Sequence, residues 1–213
     1  MTSKAGSRSL AALAVVLSVA GLALMVGLFY VLTSYKQFYM PAESMAPTLL
    51  KNDRLVAGLG AVEDMRRGDI LLFRVGDSMY VKRLAGPPGD RVAMEGGVLI
   101  LDGRPVPQQL VRTETVEDGY RSVEARRLRE RFPGEASAHE IYDLGPTEVD
   151  DMPEQVVRPG HLFVLGDNRD RSADSRVSRA SMGVEQLPLS DVRGRALFYS
   201  YGSSRPFRTS LRP

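Results

Sequence analysis

Residues 70–85 read Ile70-Leu71-Leu72-Phe73-Arg74-Val75-Gly76-Asp77-Ser78-Met79-Tyr80-Val81-Lys82-Arg83-Leu84-Ala85. A short apolar run, a Gly-Asp turn and a second run predict a β-hairpin. The same grammar extends outward in both directions. Gly86-Pro87-Pro88-Gly89-Asp90 breaks the chain. Gly97-Val98-Leu99-Ile100-Leu101 meets Asp102-Gly103, a hairpin turn signal. His161-Leu162-Phe163-Val164-Leu165 and Arg195-Ala196-Leu197-Phe198-Tyr199-Ser200 read as further strands. Many short strands with Gly/Pro turns predict a mainly β fold.

One stretch departs from this pattern. Residues 111–157 hold 12 acidic and 6 basic residues and few apolar runs. They read as a peripheral lobe with exposed edges, and their composition equally fits a partly disordered, solvated segment. Residues 123–132 are a candidate short helix of poor periodicity. The tail after Gly202 reads as loose.

The N-terminal part carries a different signal. Residues 10–32 contain no charge. As a helix they would be about 34 Å long, enough for a ~30 Å hydrocarbon core. Lys4 and Arg8 precede the span and Lys36 follows it. The positive-inside rule therefore places the N-terminus in the cytoplasm and the domain outside. Tyr30, Tyr35 and Tyr39 cluster at the far end, where aromatic belts lie. No small-x-small cleavage site follows before Lys36, and the span is long for a cleaved signal peptide. An uncleaved anchor is expected. Twelve residues separate Leu32 from Ser44, a tether of at most ~40 Å that would hold Ser44 near the membrane surface.

Composition narrows the chemistry. The chain has 213 residues, of which 43% are hydrophobic, room for one soluble domain with or without a lobe after the N-terminal span. The 28 basic and 26 acidic residues nearly cancel, so no nucleic-acid partner is expected. There is no cysteine, which excludes disulfides, thiol nucleophiles and cysteine-type zinc sites. Only Lys4, Lys36, Lys51 and Lys82 among the basic residues are lysines. Where a positive charge suffices, this sequence uses Arg. A lysine in an apolar setting then calls for a reason, because Lys can give up its proton and Arg cannot.

Pro41-Ala42-Glu43-Ser44-Met45-Ala46-Pro47-Thr48-Leu49-Leu50 places a serine midway between two prolines. Each proline stiffens its own residue and pushes the one before it toward extended geometry, so Ser44 is expected on a stiff, extended stretch. A serine nucleophile needs a base. His139 and His161 are the two histidines, and neither has a motif context; each reads as an ordinary surface or strand-end residue. Lys82 would share a strand face with Tyr80 and Leu84. Held against apolar surface, its amine would lose pKa by desolvation toward the ~7–8 that suits a general base. Snorkelling to solvent from a sheet edge fits the same periodicity. In residues 166–176, the acids Asp167, Asp170 and Asp174 interleave with the arginines Arg169, Arg171 and Arg176. A self-satisfied turn network and a rigid platform presenting Ser172 or Ser175 both fit. The arginines argue against a calcium loop.

Taken together these stretches resemble the bacterial type I signal peptidases, membrane-anchored serine proteases. Ser44-Met45-Ala46-Pro47-Thr48-Leu49 resembles the nucleophile box S-M-x-P-T-L. Gly68-Asp69-Ile70-Leu71-Leu72-Phe73 resembles the G-D-hydrophobic-F box, and Lys82-Arg83-Leu84-Ala85-Gly86-Pro87-Pro88-Gly89-Asp90 the K-R-x-x-G-x-P-G-D box. Gly166-Asp167-Asn168-Arg169-Asp170-Arg171-Ser172-Ala173-Asp174-Ser175-Arg176 resembles G-D-N-R-D-x-S-x-D-S-R. The four boxes stand in the family's order over residues 10–200, with 95–157 unmatched in detail.

The resemblance implies an antiparallel β catalytic core (36–94 and 158–202) with an inserted second β lobe (95–157). Before it would stand a cytoplasmic N-terminus (1–9) and a transmembrane anchor (10–32), and after it a tail (203–213). It implies a bacterial cytoplasmic membrane, a single pass and an extracytoplasmic catalytic domain. It implies a Ser44/Lys82 dyad without metal or cofactor, cleaving signal peptides from preproteins after small-x-small sites. Ser172 would orient the Lys82 amine, Asp174 and Arg176 would form a supporting salt bridge, and Asp167 and Arg83 would add support. The backbone N–H of Ser44 would serve the oxyanion. Phe38, Met40, Pro41, Met45, Leu49, Tyr80 and Val81 would line shallow pockets for substrate positions −1 and −3. The chain departs from the family at Ala42, where some relatives carry a hydroxyl donor, and at Pro87. A peptidase dedicated to one or few precursors and an inactive membrane-anchored binding module are the competing readings.

Overall fold

The computed structural model describes residues 3–60, 64–118, 121–202, 206 and 209–211. The chain divides into two compact units, Met1–Lys36 and Gln37–Pro213. The first is a single helix, α1 (Ser3–Ser34), longer at both ends than the expected span. Its Ala12–Ser34 portion is long and apolar enough to cross a membrane. Two polar side chains in it are satisfied locally: Ser18 Oγ donates to Ala14 O at 2.8 Å and Thr33 Oγ1 to Phe29 O at 2.9 Å. A helix apolar on every side needs a partner other than water, and a bilayer supplies one.

The second unit is built of short antiparallel strands in three sheets. The largest runs in the order β1 (Tyr35–Tyr39), β2 (Arg54–Leu59), β14 (Val192–Tyr201), β3 (Ile70–Val75), β4 (Ser78–Gly86), β12 (His161–Leu165) and β13 (Leu187–Pro188). A four-stranded sheet runs β11 (Met152–Val156), β5 (Arg91–Glu95), β6 (Val98–Leu101), β7 (Arg104–Pro105). A three-stranded sheet runs β10 (His139–Asp143), β9 (Arg121–Glu130), β8 (Gln108–Asp118). The four-stranded sheet joins β5, placed in the expected core, to strands of 95–157, while the three-stranded sheet lies wholly within 95–157.

The hairpin of residues 70–85 forms as read. Gly76 at φ 58° and Asp77 connect Val75 to its partner Ser78. The register sets Leu71 opposite Lys82 and Ile70 opposite Arg83. On its other edge β4 pairs with β12, Leu165 opposite Arg83. One central strand thus carries Lys82 and Arg83 and lies beside the strand that leads into residues 166–176. Beneath the 41–50 loop, Met45, Leu49, Leu55, Leu72 and Tyr199 form a buried cluster. Each such side chain contributes about 1.5–3 kcal/mol on burial, which fixes the loop to the sheet.

Three expectations are corrected. Residues 123–132 are not a helix; most of them lie in β9, with Ala125, Leu128 and Glu130 buried in a sheet pattern. Their charges are cross-strand pairs: Arg126 with Asp143, and Arg127 with both Glu114 and Glu140. The charged stretch is not peripheral either. Tyr142 N donates to Asp167 O at 2.8 Å and Arg169 N to Tyr142 O at 3.0 Å, which docks β10 against residues 166–176. The tail is partly held: Leu211 N donates to Leu197 O at 3.0 Å and its side chain is buried. Residues 203–205, 207–208 and 212–213 lie outside the described residues.

Candidate active site

Ser44 sits between β1 and β2 on a turn, not on an extended stretch. Ala46 N donates to Glu43 O at 3.0 Å and Leu49 N to Met45 O at 2.8 Å. The restriction imposed by each proline falls on the preceding residue, here Met40 and Ala46, and leaves Ser44 free to turn. Met45 and Leu49 anchor the turn in the core, both fully buried. Asn168 N donates to Ser44 O at 3.2 Å and ties the turn to residues 166–176.

Lys82 projects from β4 to this serine. Its Nζ lies 2.6 Å from Ser44 Oγ, donating to it. The residue is only 3% exposed. Burial is the main influence on the amine and brings its pKa from 10.5 down to about 8, partly opposed by the charges of Asp174 and Asp167. The snorkelling alternative does not describe this lysine.

The support around the pair is built on buried ion pairs. Arg176 holds Asp174 through Nε at 3.0 Å and Nη2 at 2.9 Å, and Gly166 N donates to the same carboxylate at 3.0 Å. Burial alone would raise the Asp174 pKa; Arg176 and these donors outweigh it and hold the carboxyl below its usual range. Arg83 grips Asp167 in the same bidentate way, at 2.8 and 2.6 Å, and donates to Gly68 O at 2.8 Å. The Asp167 pKa is lowered, burial again being overcome by Arg83. At the base of the loop, Ser175 N donates to Val164 O at 3.0 Å and Val164 N to Ser175 Oγ at 2.9 Å. Gly166 is required by close approach: a Cβ there would lie 2.5 Å from Ser44 O and closer still to Ser172 Oγ.

A cleft of about 280 Å³ opens beside Ser44 and Lys82. Phe38, Met40, Pro41, Tyr80 and Val81 line it, joined by Leu72 and Ala173. Met45 and Leu49 do not line it, because the turn points them into the core.

The profile of the family described as "Signal peptidase, peptidase S26" matches residues 11–201. The chain belongs to the signal peptidase family, peptidase S26. It is 30% identical over 169 residues to Signal peptidase I S of Bacillus subtilis, covering 78% of this chain and 77% of that one. It is 29% identical over 187 residues to Signal peptidase I of Rickettsia prowazekii, covering 70% and 67%. The crystal structure of a signal peptidase I from Enterococcus faecalis superposes with a TM-score of 0.35 at 22% identity, over 63% of this chain and 98% of that one. Signal peptidases are serine endopeptidases that cleave the signal peptides of preproteins, and the apolar helix α1 suits a membrane-anchored member.

Within this signal peptidase fold, some residues stand apart from expectation. Ser172 is buried against Gly166, and its hydroxyl is among the groups that lower the Asp174 pKa; its expected bond to the Lys82 amine is not formed. His139 is not at the surface. It is buried between Glu135 and Glu130, at 3.1 and 3.2 Å, and Arg169 pairs with the same Glu130. Burial would raise the Glu130 pKa, but Arg169 and His139 hold it far below the usual range. His161 Nδ1 contacts its neighbour Pro159 O. Ala42 is exposed and offers no hydroxyl at the cleft. Arg171, read from the sequence only as part of the interleaved charge network, lines the cleft as well. Its signal was position: it fills the one undetermined place between Asp170 and Ser172 of the box.

Proposed function

We propose that this chain is a membrane-anchored endopeptidase that removes signal peptides after small-x-small sites by a Ser44/Lys82 dyad. The observation that carries this reading is the 2.6 Å contact between Ser44 Oγ and a buried Lys82 amine whose pKa is about 8. At pH 7 a lysine of pKa 8 is neutral in about one molecule in ten, against well under one in a thousand at its ordinary value. The neutral amine takes the Ser44 proton as Oγ bonds to the scissile carbonyl carbon. The resulting ammonium then gives that proton to the departing amine as the C–N bond breaks, leaving an acyl-serine. Water attacks the acyl carbon with Lys82 again as base, and Ser44 is restored.

The backbone N–H of Ser44 serves the developing oxyanion. Arg83 ties Asp167 to β4 and donates to Thr48 of the nucleophile loop, and Asn168 N donates to Ser44 O, so the nucleophile and base meet without rearrangement. The shallow cleft lined by Phe38, Met40, Pro41, Tyr80 and Val81 receives the small side chains at −1 and −3 and rejects large ones by overlap. Helix α1 crosses the bacterial cytoplasmic membrane once, with the N-terminus in the cytoplasm and residues 37–213 outside. Neither metal, cofactor nor nucleic acid enters the reaction.

The test is incubation of the full chain, in detergent micelles, with a preprotein bearing an Ala-x-Ala site, followed by N-terminal sequencing of the product. Cleavage after the second alanine, abolished by Ser44→Ala, is expected. Cleavage elsewhere, or cleavage surviving Ser44→Ala, overturns the reading.

A further inference from the structure

The loop that carries Ser44 borders a second cavity. It has a volume of about 290 Å³, and its apolar wall is made by Ala46, Leu50, Val116, Tyr142 and Leu144. Glu43, Lys51, Glu117 and Arg171 form a rim of mixed charge. Arg171 lines this cavity and the catalytic cleft alike. Residues 38–42 and Ser44 border the cleft, whereas Glu43, Ala46, Leu50 and Lys51 border the second cavity. The two hollows therefore follow one another along the nucleophile loop.

The second cavity is firmly built. The Tyr142 hydroxyl donates to Glu114 Oε1 at 2.7 Å, which fixes its ring. Tyr142 N and O are bonded to Asp167 and Arg169. Asn168, another lining residue, donates from its backbone to Ser44 O. The wall of the cavity and the nucleophile are thus joined through one hydrogen bond.

We infer that this cavity is a substrate subsite for an apolar side chain on the leaving-group side of the scissile bond. The inference rests on the proposed cleavage reaction. A chain whose −3 to −1 residues occupy the cleft must continue past Ser44, at about 3.3 Å per residue if extended. The adjoining cavity shares Arg171 with the cleft and offers an apolar wall where the next residues pass. Mixed charge on the rim suits the polar backbone of an extended segment, while the wall suits an uncharged side chain. Sequence preference would then extend beyond the small residues at −1 and −3. This role also gives the charged β8–β10 sheet a function, since Val116 and Tyr142 belong to it.

The test uses the full chain in detergent and a peptide series with Ala fixed at −1 and −3. Leu or Asp is placed in turn at each of the first four positions after the bond. At one of them the Leu peptide is expected to exceed the Asp peptide in kcat/KM by about tenfold, the scale of a modest apolar pocket. Val116→Asp and Leu144→Asp, on separate segments, should each cut that ratio to about twofold or less. Equal rates at all four positions overturn the inference, and so does a preference that survives both substitutions. The wild-type series reads the preference even if one variant fails to fold. Cleavage of every peptide at equal rates defeats the subsite alone; absence of any cleavage defeats the proteolytic reading and the subsite with it.

Discussion

Lys82 Nζ lies 2.6 Å from Ser44 Oγ, across 38 positions of sequence, beside a 166–176 segment held by two buried ion pairs. The lysine is placed by the β3–β4 register and the serine by a turn anchored in the core. The consequences of this relationship are measurable.

The first concerns pH. The amine must be neutral to take a proton, and its pKa is about 8. The kcat/KM for a preprotein should climb about tenfold per unit below pH 8 and level off above it. A profile that is flat from pH 6 to 9 would contradict the role of Lys82 as base.

The same shift has a cost in stability. The Lys82 pKa is about 8 in the folded chain and 10.5 unfolded. Between these values the unfolded chain binds more protons, so stability is full above pH 10.5 and falls as pH drops toward 8. Near pH 7 the loss is complete, at most about 3 kcal/mol. Lys82→Met should therefore raise unfolding free energy near pH 7, and the gain should vanish above pH 10.5. Urea titrations of both proteins at pH 7 and pH 11 check the sign.

Arg83 and Asp167 form a buried bidentate pair. Removing one partner strands the other charge, so Asp167→Ala should cost about 3–5 kcal/mol. Replacing both partners by apolar residues of similar volume should cost markedly less. Because Asp167 and Asp174 both have lowered pKa values, their stabilisation is present above the ordinary aspartate value and is lost as pH falls below it. Chemical unfolding of the single and double variants, and of the wild type from pH 6 to 3, measures both effects.

Gly166→Ala would place a methyl group 2.5 Å from Ser44 O. The backbone there cannot yield without moving the nucleophile. A loss of about 1–3 kcal/mol in stability and about a hundredfold in kcat is expected. A variant with full activity would show that the Gly166–Ser44 approach is dispensable.

Ala42 borders the cleft two residues before Ser44 and carries no donor. Ala42→Ser should add a hydroxyl to the one backbone donor assigned to the oxyanion and raise kcat, by about tenfold, with KM little changed. Unchanged kcat would mean that the hydroxyl does not reach the developing charge.

Much of this was legible in the chain itself, and the exceptions have physical reasons. The strands of residues 70–85 announced themselves because a turn and two apolar runs are local signals. Lys82 stood out because the sequence otherwise writes arginine. β9 was misread because its charges pair across strands, with partners such as Glu114 and Glu140 that lie outside any local window. The docking of Tyr142 on Asp167 was invisible because it uses backbone atoms, whose bonding carries no side-chain signature. Met45 and Leu49 fell in the nucleophile box, but the turn they terminate, not the box, decides that they face the core. Ser172 shows the limit of a motif: the box fixes the residue and its place beside Gly166, but not the partner its hydroxyl meets.

The central claim is that Lys82 serves Ser44 as its base. The direct measurement is kcat/KM for an Ala-x-Ala preprotein with wild type, Lys82→Ala and Lys82→Arg, each checked for folding by thermal unfolding. Both variants are expected to fold and to be inactive, Lys82→Arg because its guanidinium stays protonated. Either folded variant cleaving at a rate near wild type would contradict that claim.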